Sequence, residues 1–382
     1  MTRTKINSAL SAGLLTLVCL QALPAAATPF SAVLPSSRSV PIGTTATAFA
    51  TVLNPDSVVA EGCTIALATA VDSSFSFQTT DPATNEVTGT PDTAVDIAAG
   101  GSQSFVISMV PNSDFAAATV EFDFTCSTGT AISSPGINTL LLSGNTEPTA
   151  DVVAVAATLT NDGIAVIPRD SGFGLMALAT TNVGVDATIT AQPVDLAGLD
   201  GVILICETDQ DTADCIETPA ASSTGLLAQD GTRTYSVFVN ANTRLFLDAT
   251  NNRTAVEFID EFGNVRGATS IAIEGGGPSA RTFFDDNIVN NVLQNTCTEC
   301  HQTGGTAESS GIVFTQDFVA GFQDMNFAVL EGYLNADPGN ADVLTSVVTG
   351  GQGHPVALDP MGQLFANVVE FLDLFATEPP TD

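Results

Sequence analysis

Ala48-Phe49-Ala50-Thr51-Val52-Leu53-Asn54 has a counterpart 128 residues later, Met176-Ala177-Leu178-Ala179-Thr180-Thr181-Asn182. Two further pairs follow in the same order. Gly101-Ser102-Gln103-Ser104-Phe105 matches Gly231-Thr232-Arg233-Thr234-Tyr235, and Val120-Glu121-Phe122 matches Val256-Glu257-Phe258. The offset drifts only from 128 to 136, as loop insertions would produce. The pattern reads as a duplication into two β domains, 28–147 and 148–275. The alternative is two unrelated β domains, or one larger one.

Both halves are short β segments of Thr, Val, Ile and Phe, separated by clusters of Gly, Pro, Asn and Asp. Cys63, Ile65 and Leu67 share one face of a strand, and Val120, Phe122, Phe124 and Cys126 share one face of another. A cysteine on each inward face predicts two packed sheets pinned by a Cys63–Cys126 bridge across the core. This resembles the inter-sheet disulfide of immunoglobulin-like sandwiches, although the chain has no Trp. The resemblance implies two Ig-like all-β sandwiches. Cys126 aligns with Phe262, so the second domain is expected to lack that bridge. It has Cys206 and Cys215 instead, which would staple the acidic run Asp209-Gln210-Asp211-Thr212-Ala213-Asp214. The alternating oxygens of that run hint at calcium, but the EF-hand glycine and terminal Glu are missing.

The chain opens with Arg3 and Lys5, an apolar run from Ala9 to Leu20, and Ala25-Ala26-Ala27. This reads as a secretory signal peptide, residues 1–27, with Cys19 discarded inside it. A retained amphipathic anchor is the alternative. Export to the periplasm or cell surface of a bacterium suits the remaining six cysteines, since disulfides persist in oxidising compartments. Net charge is −33, and Lys5 is the only lysine. Such a field disfavours nucleic acid and anionic membranes. It suits hydration in a salty medium, or steering toward a basic partner. Residues 28–275 contain no His, which argues against histidine-based acid–base or nucleophilic chemistry there.

Past Gly275-Gly276-Gly277-Pro278 the period changes, so residues 276–280 read as a linker. Phe284, Ile288, Val289, Val292 and Leu293 recur at helical spacing and lead into Cys297-Thr298-Glu299-Cys300-His301. C-x-x-C-H is the attachment signature of c-type haem, with two thioether cysteines and an adjacent proximal histidine. A zinc site would want a second ligand pair, and no Cys follows Cys300. Helices are also expected near Asn326–Asn335 and Asn340–Thr349, and after Asp359 as N-cap with Pro360 at its first position.

Residues 281–376 thus resemble a small all-α, single-haem c-type cytochrome domain, followed by a tail at 377–382. The resemblance implies one haem c on Cys297 and Cys300, with His301 as proximal iron ligand. The run Gly350-Gly351-Gln352-Gly353-His354 offers His354 as distal ligand, Met361 is the alternative, and an open site is a third reading. The chain as a whole is expected to be an exported electron carrier rather than an enzyme, meeting a redox partner protein, with the β domains as spacers or docking modules. A haem sensor or peroxidase-like enzyme with an open distal site is one alternative. A cell-surface scaffold or adhesion protein is another.

Overall fold

A computed structural model describes residues 27–170, 172–351, 354–355 and 357–377. The signal peptide expected at 1–27 falls outside them except for Ala27, and the tail expected at 377–382 except for Thr377.

The first half forms ten strands: β1 Phe30–Leu34, β2 Ser37–Pro41, β3 Ala46–Leu53, β4 Ala60–Leu67, β5 Ser73–Thr80, β6 Val95–Ile97, β7 Ser102–Pro111, β8 Phe115–Cys126, β9 Gly129–Thr130 and β10 Thr139–Asn145. They build two sheets, β1-β3-β7-β5 and β2-β10-β8-β4-β6, with β9 beside β8. The alternation of β3 places Ala46, Ala48, Ala50 and Val52 inward, against Phe105, Ile107, Phe122 and Leu140 from both sheets.

The second half adds β11 Val152–Thr158, β12 Ile164–Ile167, β13 Gly174–Asn182, β14 Ala187–Asp195, β15 Ile203–Thr208, β16 Ser223–Leu227, β17 Thr232–Val239, β18 Arg253–Asp260 and β19 Val265–Gly275. Its sheets run β11-β13-β17-β15 and β12-β19-β18-β14-β16. Strand for strand this is the order of the first half. Even the parallel pair recurs, β2 with β10 and β12 with β19. The four sheets therefore form two units of one topology.

Loop detail repeats too. Asp81 accepts the amides of Ala83 and Thr84, as Asp209 accepts those of Asp211 and Thr212. Asn85 and Ala213 close the two loops with φ of 58° and 61°.

The immunoglobulin expectation needs correcting at its disulfide. Cys63 and Cys126 are bonded, but they lie on β4 and β8, adjacent strands of one sheet, with Cα atoms 4.1 Å apart. Directly opposite residues on antiparallel neighbours come that close, whereas stacked sheets lie about 10 Å apart. The bridge ties a strand pair and does not cross the core. Cys206–Cys215 forms as the local staple.

The units meet across a polar junction. Asp151 accepts Arg38 Nε and Nη2 at 3.0 and 2.8 Å and the Ser39 amide at 2.9 Å. Arg266 donates to Asp260 in its own unit and to Asn145 Oδ1 across the junction, both at 2.6 Å. A cleft of about 440 Å³ opens here, lined by Asp114, Glu147, Asp186, Asp260, Glu261 and Arg266.

Helices follow at α1 Ala280–Phe283, a π-helix Phe284–Cys297, α2 Phe322–Ala336, α3 Asn340–Val348 and α4 Gln363–Thr377. They enclose a third core of Phe284, Val289, Leu293, Leu330, Val368 and Phe371. The all-α cytochrome domain expected here is not what forms. The chain is mostly β with a few C-terminal helices, the opening helix is wound as a π-helix, and 298–321 holds only turns and a short 3₁₀ turn at Glu308–Ser310. The closing helix also starts later than expected. Asp359 accepts the Met361 amide in a turn, and α4 begins at Gln363.

The glycine run is not a free tether. Gly275, Gly276 and Gly277 have φ of 94°, 72° and 75°. Gly276 donates to Ile167 and Gly277 to Ala241, and Ser279 donates to Asp170 Oδ1 at 2.8 Å. A Cβ on Gly275 would sit 2.3 Å from the Ile167 carbonyl oxygen. Arg244 on the second unit pairs with Asp373 of α4 at 2.5 Å.

Candidate functional site

The Cys297–His301 run closes one turn at the end of the π-helix. The Cys297 carbonyl accepts the His301 amide at 2.9 Å and the Cys300 amide at 3.3 Å. Among the described cysteines, Cys297 and Cys300 are the two left out of disulfides. Cys297 is half-buried against the third core, while Cys300 is exposed. Burial, with the Cys300 thiol adding to it, pushes the Cys297 thiol up to about 11. It is then a poor thiolate at neutral pH, which disfavours disulfide-exchange chemistry.

The next stretch holds the histidine. Phe314 N–H donates to the His301 carbonyl at 2.7 Å, and its ring lies 6.2 Å from the imidazole. His301 Nδ1 is 2.9 Å from the Ile312 carbonyl oxygen. A carbonyl only accepts, so Nδ1 carries the proton and Nε2 keeps a lone pair. Ser310 Oγ donates to that carbonyl at 3.3 Å and accepts the Ile312 amide at 3.2 Å. Ile312 and Ser310 were missed in the sequence, because a backbone carbonyl has no residue signature.

His354 arrives from the loop after α3. Its Nδ1 is 2.7 Å from the Pro355 carbonyl oxygen, which again leaves Nε2 free. The two imidazoles stand with ring centroids 6.1 Å apart and planes within 23°. Two imidazoles on opposite sides of one metal, with bonds of roughly 2 Å and a ring radius of roughly 1.2 Å, have centroids about 6.4 Å apart. That spacing leaves room for one metal between the two imidazoles. Met361 is 98% exposed just ahead of α4.

No cluster of three or more His, Cys, Asp or Glu able to hold a metal ion occurs among the described residues. The Asp209 carboxylate accepts the Asp211 and Thr212 amides of its own loop, which hold it below the usual range.

No family model and no curated protein matches the chain. The resemblance of 281–376 to a single-haem c-type cytochrome domain is accordingly corrected: neither a family match, nor a metal cluster, nor an all-α fold carries it. Among solved structures, the secreted serine protease VesC from Vibrio cholerae is similar over 54% of this chain and 45% of that one, at 11% identity and a TM-score of 0.16. This chain thus spans less than half of that protein's length, and a superposition this loose carries no argument about fold or activity.

Proposed function

We propose that the chain is an exported electron-transfer protein carrying one covalently attached haem. Cys297 and Cys300 would hold the porphyrin through thioethers, and His301 and His354 would hold the iron. The observation that carries this reading is the imidazole pair, 6.1 Å apart with each Nδ1 turned to a backbone carbonyl. A porphyrin brings four iron ligands of its own, so two imidazoles complete the set without a larger protein cluster. Bound there, the group supplies a reversible ferric–ferrous couple.

The protein's part is to fix the ligands. The Ile312 and Pro355 carbonyls set the tautomer of each imidazole and make Nε2 a better donor. The core around Phe284, Leu330 and Phe371 keeps water from one side of the turn. With His301 and His354 both supplied by the chain as ligands, the site would favour electron transfer over binding of oxygen or peroxide. Two disulfides fit an oxidising compartment, and no described helix is long and apolar enough to cross a membrane.

The test is the purified protein from cells able to attach haem to cysteines. We expect a mass exceeding the polypeptide by one haem and a low-spin spectrum unmoved by carbon monoxide. His354→Ala should admit carbon monoxide, whereas Met361→Ala should not. A colourless product of bare polypeptide mass ends the proposal.

A further inference from the structure

The first β unit has one sheet face unlike the rest of the molecule. No residue of β1, β3, β5 or β7 is ionisable, in a chain with 42 acids and 9 bases. The other sheet of the same unit carries Arg38, Glu61, Asp96, Glu121 and Asp123. The neutral sheet is also apolar on its outer side. Phe30 pairs with Leu53 and Leu34 with Phe49 in the β1–β3 register, and these side chains are 62%, 40%, 59% and 40% exposed. A hydroxyl row runs beside this strip, where Thr47 on β3 faces Ser108 on β7 and Ser108 faces Ser76 on β5.

We infer that this face is a platform for a neutral polysaccharide. The charge distribution selects the occupant. A cationic partner would find nothing to pair with here and carboxylates elsewhere. A polyanion is repelled by a net charge of −33, and the Arg38 guanidinium that reaches Thr47 at the edge of the face is already paired with Asp151. A second copy brings the same field. A neutral glycan matches what is present. The C–H faces of its sugar rings lie against Phe30 and Phe49, and its hydroxyls exchange hydrogen bonds with Ser76 and Ser108. This inference does not depend on the haem.

The experiment uses the full chain with cellulose, chitin and dextran as neutral probes and alginate as the anionic control. We expect retention on at least one neutral polymer and none on alginate. Phe49→Ser and Leu34→Ser should each weaken it about tenfold. Ser76→Asp and Ser108→Asp place charge on the face without opening the core, and should weaken it as much if the serine variants unfold. No retention on any neutral probe overturns the inference, as does equal retention on alginate. A concentration-dependent dimer that Phe49→Ser abolishes also overturns it, since the face would then join two copies.

Discussion

Each β unit closes one loop around a buried asparagine. Asn54 donates from Nδ2 to the carbonyls of Val58, Ile97 and Ala98, and Asn182 to those of Val185 and Leu227. Their backbone amides reach the equivalent glycine carbonyls, Gly101 and Gly231. Truncation strands buried acceptors, so Asn54→Ala and Asn182→Ala should each cost about 2–3 kcal/mol in urea unfolding. A loss within about 0.5 kcal/mol, ordinary for a surface change, would refute that role. Asp151 gives a residue-scale pH dependence. Burial raises its carboxyl above the ordinary range, against the pull of Arg38. A carboxyl protonated more readily in the folded chain adds stability as pH falls, and that contribution is lost as pH rises through the raised value. Wild type should therefore gain on Asp151→Asn as the medium is acidified from neutrality. A stability difference independent of pH between about 7 and 4 rules this out.

Among the elements, the two disulfides separate most clearly. Cys63–Cys126 spans 63 residues and Cys206–Cys215 spans 9. Chain entropy alone assigns them about 4 and about 2.5 kcal/mol, so the Cys63→Ser/Cys126→Ser pair should lower stability more. Denaturation curves of the two double variants check the order. The partners of both bridges could be read from the sequence, Cys63 and Cys126 from the inward faces of two strands and Cys206 and Cys215 from their closeness in the chain. Their place in the fold could not, since alternation says which face a cysteine takes but not which strand lies beside it. For the same reason the repeat was visible at Asn54 and Asn182, while the pairing of β4 with β8 was not. At the C-terminal end, apolar spacing located the helices near α2 and α3. It did not foresee the π-winding, because Phe284, Ile288, Val289 and Leu293 suit an inward stripe in either winding. The Cys297, Cys300 and His301 positions stood out by their spacing. The carbonyls that orient both histidines did not, as they depend on where the backbone returns.

For the molecule as a whole, the polar junction decides whether the β units unfold together. Arg266 is buried between Asp260 and Asn145, so its removal leaves a carboxylate without its partner. Arg266→Met should cost about 3 kcal/mol and split one calorimetric transition into two. A single transition of unchanged midpoint would show that the junction does not couple the units. The guanidiniums of Arg38, Arg233, Arg244, Arg266 and Arg281 all face carboxylates inside the molecule. The cleft at the junction therefore keeps an acidic lining.

The Gly275–Gly277 join carries the last consequence. Pinned at Ile167 and Ala241, it makes the stretch from the β units to the histidine pair a strut and not a leash. The helical segment therefore departs from a fixed point on the second β unit, its direction set by backbone hydrogen bonds and not by diffusion of a tethered end.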